Sequence, residues 1–181
     1  MRSPRQPVRV FVSSPSDVKE ERRIAKEVLF DLNRLVGPQL GITLEPLLWE
    51  DAVPDMGSPQ AAINRQFPDC DVFIGIVWAR FGSPTVEYGS GTEEEFSIAY
   101  ARWRENGIPR ILLYVCSRDI PYPNDEATAS QLLRRADCYK ILRLPVSTRG
   151  TVCLLMAASQ ATVLRSVVML RWALEAGTRT S

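Results

Sequence analysis

Three consecutive acids, Glu93, Glu94 and Glu95, follow a glycine-rich loop and open a segment of helical spacing that runs to Trp103. Phe96, Ala99, Tyr100 and Trp103 obey the i, i+3, i+4, i+7 rule, so one face of this helix is apolar and packs on a sheet. At roughly 100° per residue, Glu94 falls nearly opposite that stripe, whereas Glu93 and Glu95 flank it where a cleft can receive them. Glu95 is the first candidate for chemistry. A second reading stands beside it: Thr92-x-x-Glu95 has the spacing of a capping box, in which the carboxylate reaches back to its own helix start.

The chain contains no histidine. A Ser-His-Asp triad, a Cys-His pair and His-ligated metal sites are thereby excluded, and carboxylates, cysteines and hydroxyls remain for any reaction. No Gly-x-x-x-x-Gly-Lys-[Ser/Thr] phosphate loop occurs, so an ATPase site is not encoded. Cys70, Cys116, Cys138 and Cys153 are widely spaced, which fits reduced thiols and a cytoplasmic location. The polar start, Met1 to Pro7, shows no secretory signal.

The acids need elements to hold them. Val8 to Val12 reads as a strand that stops at Ser13-Ser14-Pro15-Ser16. Asp17-x-x-Glu20 then resembles a helix start, and Ile24, Val28, Leu32, Leu35 and Val36 continue at helical spacing to Gly37-Pro38. Ile42 to Trp49 is a second strand, placed at an edge by Pro46. A short helix is expected from Pro59 to Gln66. Asp71 to Trp78 and Arg110 to Cys116 are continuous apolar runs, the mark of strands buried on both faces. Strands alternating with helices imply a parallel sheet covered on both sides, whose sites lie at the carboxyl ends of the strands. Those ends are Ser13 and Ser14, Trp49 to Asp51, and Trp78 to Gly82.

At these ends Ser13 and Ser14 can hydrogen-bond a ribose or phosphate, or simply form the turn before Pro15. Trp78 and Phe81 can stack on a base or close the core. Arg80 can pair with a phosphate, and Asp51 is a second polar group at the mouth. Cys70, beside Asp71, reads as a small buried hydrophobe.

With 181 residues the chain suits one domain with a sizeable core. A net charge of +1 argues against a dedicated nucleic-acid binder. The charge is uneven: residues 138–181 hold six Lys and Arg against one acid, Glu175, and the preceding part holds 16 against 20. A boundary near residue 137 follows, with a domain over 1–137 and a basic, partly apolar tail over 138–181. Gln160, Arg165 and Arg171 interrupt the apolar part of the tail, so no membrane span is expected. Val163, Val167, Leu170 and Leu174 would line a packed or partner-binding helix.

Val8 to Ser14, Asp17 to Arg22, Asp71 to Gly82 and Gly91-Thr92-x-x-Glu95-x-x-x-Ala99, in this order and spacing, resemble a TIR-like domain of unknown function of the 4062 type. The resemblance covers residues 8 to about 116. It implies an α/β fold, a flavodoxin-like or TIR-like three-layer sandwich with a central, mostly parallel sheet. It also implies a signalling module found at the N-terminus of NACHT and other STAND-type proteins, with protein partners or self-association. The Gly91 to Ala99 stretch is similar to the catalytic-glutamate motif of nucleoside deoxyribosyltransferases, although Ser97 stands where that pattern usually has glycine. By this resemblance Glu95 cleaves an N-glycosidic bond of a nucleotide, with NAD the preferred substrate and no bound cofactor. A carboxylate suits that reaction because positive charge develops on the ribose as the base leaves. Two functions stand: an N-glycosidase in which Ser13, Ser14, Asp51, Trp78, Arg80, Phe81 and Thr92 hold the ligand around Glu95, and a non-catalytic interaction module.

Overall fold

The computed structural model describes residues 5–48, 70–80, 90–116, 118–120, 122–133 and 152–157. Strand β1 (Gln6–Ser13) leads through a single turn of 3-10 helix (Ser16–Val18) into α1 (Lys19–Leu35), the short α2 (Gly37–Leu40) and β2 (Ile42–Leu48). Then come β3 (Val72–Val77), α3 (Gly91–Asn106), β4 (Arg110–Cys116) and β5 (Val152–Ala157). All neighbouring strands run parallel, in the order β2-β1-β3-β4-β5. This is the flavodoxin-like order. It places a switch point between β1 and β3, where successive connections leave to opposite sides. β5 lies within the basic tail, so the sheet extends past residue 137.

A parallel sheet with helices on both faces asks each central strand to be apolar on both sides. β3 is buried at all six positions, and β4 at every position after Arg110. The pleat sorts their side chains into two cores. Val8, Val10, Val12, Val72, Ile74, Ile76, Leu112 and Tyr114 pack with Leu29 and Leu32 of α1. Phe11, Phe73, Ile111 and Leu113 pack with Phe96 and Ala99 of α3, with Tyr100 and Trp103 at its margin. The expected α3 stripe is the observed one. Gly75, on the α3 face, belongs to this packing, since a Cβ there would overlap Leu113 Cδ2 and stand 3.1 Å from Phe73 Cε1.

The start of α1 differs from the sequence expectation. Asp17 does not cap α1; no side chain does so, because the 3-10 turn carries Asp17 toward the loop after β3. The buried stripe of α1 is also rotated. Leu29 and Leu32 face the sheet, Ala25, Val28 and Val36 flank them, and Leu35 is 56% exposed. Gly37-Pro38 bends the chain into α2 instead of ending it, and Gly41 closes α2 in the left-handed region (φ 67°) that glycine adopts without strain. The expected helix over 59–66 and the tail helix over 163–174 lie outside the described residues. Among the described residues no helix is long and apolar enough to cross a membrane.

β2 is an edge strand, as Pro46 implies. Val8 is paired with Leu44 and Val10 with Pro46 in the β1 register. Residues two apart in a strand turn their N–H and C=O groups the same way, so Leu44 and Pro46 both face outward and the missing N–H of Pro46 costs the ladder nothing. The outward groups of Leu44 are taken by Asn33 of α1. The Leu44 N–H donates to Asn33 Oδ1 at 2.6 Å, and Asn33 Nδ2 donates to the Leu44 carbonyl at 2.7 Å. Asn33→Ala strips both partners at a half-buried site and is expected to lower stability by about 1–3 kcal/mol. Urea denaturation should show a reduced midpoint with an unchanged slope; an unchanged midpoint would mean that water replaces the amide without cost.

Candidate functional site

β1 ends at the switch point, and its last residues point to opposite faces. Ser13 follows the α3-facing Phe11, whereas Ser14 follows the α1-facing Val12. On the α3 face the Ser13 hydroxyl donates to Glu95 Oε2 at 2.5 Å, across 82 residues of sequence. Both side chains are buried, Ser13 at 1% and Glu95 at 6% exposure. Phe96, the next residue along α3, is inserted into the core beside Phe73, with ring centroids 6.3 Å apart, and so fixes the rotation of this turn. The Glu95 carboxylate is therefore delivered to the end of β1 by helix packing.

That geometry overturns the capping box. The N-cap of α3 is Ser90, in extended conformation, whose hydroxyl accepts from the Glu93 N–H at 3.1 Å while its carbonyl accepts from the Glu94 N–H at 3.0 Å. The helix begins two residues earlier than the threonine suggests. Thr92 is buried inside the first turn, and Glu95 lies beyond the reach of the cap. Glu94, opposite the apolar stripe, is nevertheless buried at 9% exposure, so burial in the first turn of α3 is not confined to the sheet side. Gly107, with φ 75°, closes α3 by donating its N–H to the Trp103 carbonyl at 2.8 Å.

A second polar cluster occupies the α1 face. Arg22, 3% exposed, directs Nε to Ser14 Oγ at 2.7 Å and Nη2 to the carbonyls of Ser14 and Pro15 at 3.1 and 2.9 Å. Asp17 Oδ2 accepts from the consecutive N–H groups of Ala79 and Arg80, at 3.2 and 2.9 Å, tying the start of α1 to the loop after β3. Trp78 packs against the α1-side core and carries the Arg118 guanidinium 4.0 Å above its ring, while its Nε1 donates to the Arg118 carbonyl at 3.2 Å. Arg118 also meets Glu21 at 3.0 Å and donates to Cys116 Sγ at 3.2 Å. Its basicity is raised chiefly by that bond to sulfur and then by the Glu21 charge, against the opposing effect of burial.

The sheet thus divides the residues singled out from sequence. Ser13, Glu95 and Thr92 belong to the α3 face, Ser14 and Trp78 to the α1 face, and Arg80 is exposed at the strand end. Asp51 and Phe81 lie outside the described residues. Arg22 and Arg118 were not anticipated, and Asp17, expected at a helix start, instead binds the loop after β3. Arg22 left a signal, since it sits at the i, i+3, i+7 and i+10 spacing with Ala25, Leu29 and Leu32, where only a partnered charge is tolerated. Cys70 is buried among the α3-side core residues, as expected for a small hydrophobe. A separate groove of about 590 Å³ runs between α1 and the outer edge of β2, lined by Lys26, Glu27, Phe30, Asp31, Asn33 and Pro46, and contains none of the candidate residues.

A family model described as a domain of unknown function (DUF4062) matches residues 9–140, most of the chain and all of the site. No curated protein matches the sequence. Among solved structures, one described as sup35 complexed with GDP is similar at 13% identity and a TM-score of 0.37, with 84% of this chain and 37% of that chain covered. This chain therefore spans well under half the length of that structure.

Ser90→Ala removes the hydroxyl that holds the first turn of α3 and is expected to cost about 1 kcal/mol. Thr92→Val removes the other hydroxyl at nearly constant volume and should cost less. Thermal melts of both variants decide the matter, and the reverse ranking would return the cap to Thr92.

Proposed function

We propose that this chain, which belongs to the DUF4062 family of domains of unknown function, is a TIR-like effector module that cleaves the N-glycosidic bond of a nucleotide, with NAD as the preferred substrate. The observation that carries the reading is the buried Ser13–Glu95 pair at the β1/β3 switch point, where ligands of open parallel sheets bind. A carboxylate held at 2.5 Å by a hydroxyl is oriented before any substrate arrives, and its role as a cap is excluded by Ser90.

Composition favours NAD over a neutral nucleoside. As the bond from ribose C1′ to the nicotinamide nitrogen breaks, its electron pair returns to the cationic ring, which leaves neutral and needs no proton donor. A chain without histidine can support that departure with a carboxylate alone. Glu95 would stabilise the positive charge on C1′, or bond to it, and water would then add at C1′ and release its proton to solvent. Ser13 would keep the carboxylate aimed. Arg80 and Thr92 border the same strand ends and would contact the remainder of the nucleotide, together with Asp51 and Phe81, whereas Ser14 and Trp78, on the α1 face, would act only by holding the strand ends in place.

Glu95→Gln preserves shape and can still accept from Ser13, but it carries no charge. The expected outcome is a loss of nicotinamide release by roughly 100-fold or more with a melting temperature within about 2 °C of the parent. Because a module of this kind can require assembly, the assay is run on dilute and on concentrated, self-associated protein. No release by the parent in either state would leave a partner-binding or self-associating module of a STAND-type system as the function.

A further inference from the structure

We propose that Arg22 is a positioning residue for the Ser13–Glu95 pair, acting from the opposite face of the sheet through the Ser14–Pro15 segment. The inference rests on the N-glycosidase reading for the reaction that the pair performs, but not for the coupling itself. Arg22 stands on the stripe of α1 that otherwise packs Ala25, Leu29 and Leu32 against the sheet, and an apolar side chain would avoid the desolvation that a buried guanidinium incurs. What the guanidinium supplies is geometry. Its planar fork binds the Ser14 hydroxyl, the Ser14 carbonyl and the Pro15 carbonyl together, at 2.7, 3.1 and 2.9 Å.

These acceptors come immediately after the last residue of β1, where the strand ladder stops holding the chain. Pro15 adds its own restraint, with φ at −70° set by its ring. Held by the ring and the fork, the peptide that follows Ser13 has little rotation left. The direction of the Ser13 hydroxyl is then set by α1, although its partner belongs to α3. A 2.5 Å hydrogen bond between buried groups loses its geometry on displacements of a few tenths of an ångström, so the clamp and the pair are coupled. A lysine at position 22 keeps the charge but presents a single ammonium in place of the fork.

The test uses the full chain labelled with 13C at the glutamate carboxyl carbons, with the Glu95 signal assigned by its absence in Glu95→Gln. Ser13→Ala should move that signal by removing its donor. Arg22→Lys should move it in the same direction by at least half as much, leave the other glutamate signals in place, and lower kcat for nicotinamide release from NAD at least tenfold with KM within twofold. A lower melting temperature with an unmoved Glu95 signal would reduce Arg22 to a purely structural group and overturn the proposal. Should Arg22→Lys fail to fold, Ser14→Ala removes one of the three acceptors; displacement of the Glu95 signal supports the coupling and an unmoved signal refutes it. Absence of NAD cleavage by the parent chain would sink the glycosidase reading, and the carboxyl signal alone would then decide the coupling.

Discussion

The alternation of side chains along β1 is the constraint from which the site follows. Strands β1, β3 and β4 each serve two cores, one under α1 and one under α3, and the pleat assigns residues to them in turn. While β1 is apolar this only divides the packing. At its end the same alternation sends Ser13 to Glu95 and Ser14 to Arg22, so two hydroxyls adjacent in sequence enter different chemical environments. A shift of one residue in the pairing of β1 would exchange them, and the valines at 8, 10 and 12 would lose their core at the same time. The hydrophobic register and the polar site are therefore one specification.

Burying several charged groups near one sheet end is costly, and the structure offsets the cost by local means. On the α3 face the Ser13 hydroxyl donates to the Glu95 carboxylate, and Ser90 secures the first turn of the helix that carries it. On the other face, Arg22 satisfies carbonyls that have left the strand ladder, and Asp17 satisfies two N–H groups that follow β3. Arg22 and Asp17 thus also complete backbone hydrogen bonding, which holds the loops at the carboxyl ends without requiring them to be apolar.

The sheet was readable from the chain because its signals are local. The runs at 72–77 and 110–116 contain almost no polar residue, and Pro46 excludes β2 from the interior. The α3 stripe could be read for the same reason. The site was readable only in part. Glu95 and Ser13 were identifiable individually, but a bond spanning 82 residues has no local pattern, and the assignment of Ser13 and Ser14 to opposite faces depends on which helix covers which side. Asp17 and Thr92 were assigned to caps because their spacing fits a cap, yet tertiary contacts claimed the first and a serine two residues upstream displaced the second. The burial of Glu94 was hidden because a helical wheel assumes one wet side, an assumption that fails where a residue opposite the sheet is itself covered.

The Asn33 side chain, bonded to both outward groups of Leu44, occupies the border of the sheet as a counterfeit neighbour strand would. With Pro46 two residues on, two successive outward positions of that border offer no free N–H to a foreign segment. Strand addition along this stretch of β2 is thereby disfavoured, in the way that prolines and covered edges guard other sheets against growth from the rim.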